Sequence, residues 1–181
     1  MNRTEQNRIW KIVLIAIFLL PINRVIAADD IEKAGDVLQI LIPSIAYGST
    51  FYLDDSEGRI QFYKSFATTV VVTHGLKYTI DKKRPNGSSK SFPSGHTSAA
   101  FQGASFIHRR YGLKYAVPAY IGASFVGYSR VESDNHYVED VLAGAAIGIV
   151  SSFYFTTPYK GFNIQPIANN GTYGINFSKE W

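Results

Sequence analysis

Three short stretches of this chain carry side chains able to move a phosphoryl group without a metal. They are Lys77-x6-Arg84-Pro85, Pro93-Ser94-Gly95-His96 and Ser129-Arg130-x5-His136-x3-Asp140. Lys77 offers a point charge, and Arg84 and Arg130 offer planar forks, for the equatorial oxygens of a phosphoryl group. Of the two imidazoles, one can attack phosphorus while the other protonates the leaving oxygen. His136 and Asp140 stand four apart, so on a helix they share a face. The carboxylate can then accept a hydrogen bond from one ring nitrogen and leave the other free to attack. Ser94 is placed to cap a helix that begins beside His96, where free backbone N–H groups and the positive helix end would meet an anion. Pro93 and Gly95 shape a turn whose amides can approach that anion closely.

These groups need a scaffold that gathers them, and the hydrophobic pattern predicts an all-α helical bundle. Five helical stretches follow an N-terminal segment: residues 31–53, 60–80, 94–109, 113–129 and 137–155. Lys77 and Arg84 close the second, His96 opens the third, Arg130 closes the fourth, and His136 and Asp140 open the fifth. Alternating helices therefore bring all three stretches to one end of the bundle. The cluster 54–58 and the basic turn 109–114 fall at the other end, and that turn has the character of a cytoplasmic positive-inside loop. In the tail, Phe162, Ile164, Tyr173, Ile175 and Phe177 alternate as in strands around Asn170-Gly171, which predicts a small C-terminal β-hairpin. The domain division is then 1–28 as a leader or first membrane helix, 29–160 as the helical domain and 161–181 as the hairpin tail.

At 181 residues the chain is one domain, without cysteine for disulfides or thiolate metal sites. Its net charge of +4 is mild. The charge is concentrated at Lys77, Lys82, Lys83, Arg84, Lys90 and Arg130, which suits a compact anion better than long nucleic acid. Taken singly, Lys82, Lys83 and Lys90 read as a solvated basic loop. Arg3, Arg8 and Lys11 precede the apolar run 12–20, and small residues follow at Ala27 and Ala28. That is the layout of a secretory signal peptide or of an uncleaved first membrane helix, and both place the chain on a secretory route. The uncharged runs 115–129 and 141–159 approach the ~20 residues of a membrane span. A mean hydropathy of −0.03 keeps a soluble bundle open as the alternative.

In order and in every defining residue, the three stretches resemble the signature of the type 2 phosphatidic acid phosphatase / vanadium haloperoxidase superfamily. The resemblance runs from about Lys77 to Gly148. It implies catalytic roles for His136 as the nucleophile that becomes phosphohistidine, for His96 as the acid and then the base, and for Asp140 as the partner of His136. It implies phosphate binding by Lys77, Arg84, Ser94, Gly95 and Arg130, with neither a metal nor another cofactor. The expected function is hydrolysis of a phosphate monoester or diphosphate, carried by a membrane lipid or a small phosphoester, at a bacterial inner membrane with the site facing the periplasm. A soluble periplasmic acid phosphatase is the second reading. A vanadate-dependent haloperoxidase is the third, disfavoured by the short chain.

Two acids depart from the usual pattern. Glu132 and Asp134 stand between Arg130 and His136, where they would bind a polar or cationic head group or hold Arg130 in place. His74 reads as a packing residue near the site, and His108 as solvated at the opposite end.

Overall fold

A computed structural model describes residues 28–159, 163–169 and 172–178. The leader or first membrane helix expected at 1–28 lies outside the described residues, except that Ala28 already belongs to the first helix. Five helices follow: α1 Ala28–Tyr52, α2 Ser56–Thr79, α3 Gly95–Tyr111, α4 Leu113–Glu132 and α5 Val138–Phe155. Strands β1 Asn163–Asn169 and β2 Thr172–Ser178 pair antiparallel, with Asn169 opposite Thr172.

Local chemistry sets the helix boundaries. The acidic cluster at 54–58 both ends α1 and starts α2. Asp54 turns the chain at φ 50°, and Asp55 caps α2 by accepting the Gly58 N–H at 2.8 Å. The sequence pattern predicts a start at residue 60, four residues later, because the whole cluster has the composition of a break. Ser94 caps α3, its hydroxyl accepting from the Thr97 N–H at 3.4 Å. Gly112, at φ 106°, closes α3 and opens α4, a backbone setting that favours glycine.

Helix α3 is the axis of the bundle and packs against each of the other four helices. It can do so because the chain is small where helices cross. A Cβ on Gly148 would overlap the Ser98 carbonyl and lie 2.6 Å from the Gln102 nitrogen, so only glycine lets α5 lie against α3 here. Gly103 admits the backbone of Pro43 in the same way, with Cβ-to-Cα at 2.7 Å.

The distribution of polarity is unusual. Buried positions include Ser65, Thr73, Ser98, Gln102 and Ser152, which bond across helices: Thr73 to Ser98 at 3.1 Å, Gln102 to Ser65 at 2.8 Å and Ser152 to the Gln102 carbonyl at 2.8 Å. Large aliphatic side chains point outward instead, with Val71 70% and Leu142 63% exposed. Among the described residues one helix, α5, is long and apolar enough to cross a membrane by length and composition.

At the end away from the three motifs, Arg110 is buried against Asp55, with Nε to Oδ2 at 2.7 Å, and Tyr111 donates to the same carboxylate at 3.0 Å. His108 is half-buried there, 3.1 Å from the Tyr120 hydroxyl and edge-on to Phe153, rather than solvated as its neighbours suggested. Flanking rings, not the adjacent arginines, decide its surroundings.

The α3–α5 contact generates a test. Gly148→Ala should lower folding stability by about 1–3 kcal/mol, the usual range for overpacking. Ala146→Leu, on the exposed face of α5, should shift it by less than about 0.5 kcal/mol. Thermal unfolding in detergent reads both.

Candidate active site

The ends of α2, α3, α4 and α5 meet at one pole of the bundle. Lys77 lies in the last turn of α2, and its Cε would stand 3.7 Å from a Cβ at Gly95, so its stem crosses the start of α3. Its Nζ donates to the Lys90 carbonyl at 3.0 Å. Arg84 sits on the loop between α2 and α3, where its buried Nε has no hydrogen-bond partner. A buried guanidinium donor left open beside other cations is chemistry suited to an anion.

Asp140 is fully buried and held from several sides. Lys82 reaches Oδ1 at 2.8 Å, the Tyr137 N–H reaches Oδ2 at 3.0 Å, and the Ser91 hydroxyl donates a short bond to Oδ2. The Ser94 N–H also bonds the Asp140 carbonyl at 2.9 Å, joining α3 to α5. His136 is buried, and its Nδ1 stands 3.7 Å from Asp140 Oδ2, beyond hydrogen-bond range. The direct bond expected from their spacing is therefore not made. The cause is competition, since Ser91, Lys82 and Tyr137 already occupy the carboxylate.

His136 lies on the connection between α4 and α5, and its pKa is pushed down to about 4. Burial is the largest cause, followed by the charges of Lys77 and Arg84, which together outweigh Asp140 and the Ser91 backbone. The ring is neutral at ordinary pH, the form a nucleophilic nitrogen requires.

Across the site, Arg130 is 2% exposed and held by α1. Its Nη1 donates to Asp36 Oδ1 at 2.8 Å and its Nη2 to the Glu32 carbonyl at 2.7 Å. The same Asp36 oxygen lies 3.2 Å from His96 Nε2. Gly35 makes this approach possible, because a Cβ there would overlap the Ser129 hydroxyl and come within 2.9 Å of Arg130 Nη2.

Eight residues carried forward from the sequence thus have clear positions. His136, Asp140, Lys77 and Arg84 form one wall, His96 and Arg130 form another, and Ser94 and Gly95 start α3 between them. Asp36, Glu32, Lys82 and Ser91 were missed. Glu32 and Asp36 are four apart in the charged first third of α1, which is uncharged from Val37 onward, the same spacing as His136 and Asp140. Carboxylates so placed need partners, and that signal was readable. Lys82, taken as a solvated lysine, is instead fixed between Asp140 and Glu139, at 2.8 and 2.7 Å. Glu132 and Asp134 are exposed, and Arg130 is held from α1 rather than by them. His74 is exposed, not packed beneath the site.

This fold and cationic pole are those of a known class: residues 81–163 match the PAP2 superfamily. A phosphatidylglycerophosphatase B of Bacillus subtilis is 30% identical over 159 residues, covering 78% of this chain and 75% of that protein. The chain belongs to the PAP2 superfamily. It is also similar to a lipid A 4′-phosphatase of Helicobacter pylori, at 29% identity over 180 residues and 89% of both chains. A lipid A 1-phosphatase of Porphyromonas gingivalis is 45% identical over 78 residues, 41% of this chain and 18% of that longer protein. Among solved structures, a transmembrane PAP2-type phosphatidylglycerolphosphate phosphatase from Bacillus subtilis superposes with a TM-score of 0.59, 26% identity and 85% of each chain covered.

The charge balance around His136 gives a direct check. Arg84→Gln removes one of the two cations that disfavour imidazolium, so His136 should titrate above its native value of about 4 and closer to the ordinary ~6.5. Carbon-13-labelled histidine followed by NMR against pH reads the shift.

Proposed function

We propose that this protein is a phosphatase that hydrolyses a phosphate monoester or diphosphate of a membrane lipid through a phosphohistidine on His136. The observation that carries this reading is the neutral, buried His136 facing Lys77 and Arg84, with His96 and Arg130 opposite. Lys77, Arg84 and Arg130 would bind the three equatorial oxygens, Arg84 through its open Nε. The amides at the start of α3, beside Gly95 and capped by Ser94, would add backbone donors.

The reaction runs in two displacements. A ring nitrogen of His136 attacks phosphorus, the bond from phosphorus to the lipid oxygen breaks, and His96 gives that oxygen its proton. His96 then takes a proton from water as the water attacks the phosphohistidine, which releases phosphate and restores both imidazoles. Fixed cations stabilise the charge spread on the phosphoryl oxygens in each step.

Several features favour a lipid substrate and a membrane setting. Polar side chains are buried and aliphatic ones face outward, the arrangement expected when the surrounding solvent is hydrocarbon. The relatives that align along most of this chain are lipid phosphatases by name. Arg109 and Lys114 remain exposed at the pole opposite the site, whereas Arg110 is buried against Asp55. We read that exposed basic turn as the cytoplasmic end of the bundle, a reading that leaves the site on the outer, periplasmic face. The N-terminal segment acts as a leader or anchor for this route.

Two experiments test the reading. His136→Ala should abolish turnover of every substrate, whereas His96→Ala should depend on the leaving group. General-acid help is typically worth ~10²–10⁴-fold, so lipid phosphate turnover should collapse while phosphorylation by nitrophenyl phosphate survives better and labelled phosphate accumulates on His136. Rapid quench and peptide mapping decide it, and label on another residue would refute the mechanism. For orientation, reporters inserted after Ser56 and after Gly112 should read cytoplasm, and one between Asn86 and Lys90 should read periplasm.

A further inference from the structure

Arg130 and His96 are assigned separate tasks, yet a single carboxylate oxygen touches both. Asp36 Oδ1 lies 2.8 Å from Arg130 Nη1 and 3.2 Å from His96 Nε2. The contact is built into the fold. Gly35 removes the side chain that would block α1 from Ser129 and Arg130, and the Glu32 carbonyl holds the other guanidinium nitrogen at 2.7 Å. Glu32 also accepts from Asn135 at 2.8 Å, tying α1 to the connection that carries His136.

The charge environment gives this contact a purpose. Burial first, then the positive charges of Arg130 from α4 and Arg84 from the α2–α3 loop, disfavour a protonated His96, and Asp36 is the negative charge that opposes them. A general acid must hold a proton before donating it, and two guanidinium groups work against that. An adjacent carboxylate offsets part of that and gives Nε2 a partner at 3.2 Å. Bonded through Nε2, the ring also keeps one orientation and leaves Nδ1 for the leaving oxygen.

We propose that Asp36 is a positioning residue for the proton-transfer step, holding His96 oriented and able to carry its proton while aligning Arg130 on the phosphoryl group. The inference rests on the hydrolytic reading above and adds a residue that lies outside all three motifs. Asp36 touches neither phosphorus nor the leaving oxygen and acts through His96.

The test compares leaving groups in the full-length, detergent-purified protein. Single-turnover phosphorylation is measured with dodecyl phosphate, whose alkoxide needs a proton, and with nitrophenyl phosphate, whose phenolate hardly does. Asp36→Asn should slow the dodecyl reaction by about 10²-fold, the lower end of general-acid effects, and the nitrophenyl reaction by less than about tenfold. Asp36→Glu, which keeps the charge but moves it, should show a smaller loss still confined to dodecyl phosphate. Should Asp36→Asn fail to fold, the selectivity of the Asp36→Glu loss decides alone. Equal losses for both substrates would overturn the inference and make Asp36 a structural tie for Arg130. Tighter vanadate binding with undiminished rates would also overturn it, showing that the carboxylate merely occupies the anion's place. Wild-type turnover separates the two claims: without it the hydrolytic reading fails, whereas an active wild type beside an unselective variant fails the Asp36 inference alone.

Discussion

Cations held side by side repel, and a site made of them stands only if buried carboxylates lie between. At the reactive pole of this bundle Asp140 is such a carboxylate. It accepts from Lys82 and Ser91 on the α2–α3 loop and from the Tyr137 N–H that starts α5, while its carbonyl receives the Ser94 N–H from α3. One residue thus fixes, by its side chain, the loop that carries Arg84 and the turn that carries His136 and, by its carbonyl, the cap of the helix that carries His96. Leaving a buried ionic partner uncompensated typically costs about 3–5 kcal/mol, so this point cannot loosen without the pole loosening with it. On the other wall a half-exposed carboxylate, Asp36, stands between His96 and Arg130.

Away from that pole, the bundle is held by small residues and hydroxyls more than by bulk. Glycines at the α3 crossings let backbones meet, and Ser65, Thr73, Ser98, Gln102 and Ser152 bond across the interfaces so created. The aromatic core is confined to the far half, where Phe62 meets Phe106 edge-on at 5.1 Å and Tyr111 packs on Phe106 at 6.1 Å. Around the site there are few rings and many hydrogen bonds, which suits a region that must order charges.

Much of this was legible from the sequence for identifiable reasons. Helix-period stretches bounded by Asp54, Gly112 and the loop before Ser94 set the helix count and, by alternation, put every motif at one pole. Motif residues were readable because their chemistry is rare in combination. What escaped was pairing. Spacing places His136 and Asp140 on one face, yet says nothing of Ser91 and Lys82 competing for the same oxygens. Likewise Glu132 and Asp134 are near Arg130 in sequence, but α1 reaches it first in space, an encounter nearly a hundred residues apart that only tertiary packing decides. Lys82 looked like one more loop lysine because its partners lie on another helix.

The length of α3 has a consequence for where chemistry happens. Its 17 residues rise about 1.5 Å each, which gives a rod of about 25 Å, shorter than the ~30 Å hydrocarbon layer of a bilayer. In the membrane setting proposed above, a rod of that length with its basic end at one hydrocarbon boundary would leave His96, on its first turn, about 5 Å short of the other boundary. A lipid seated in the leaflet can then present its head group to the pole without being lifted into water.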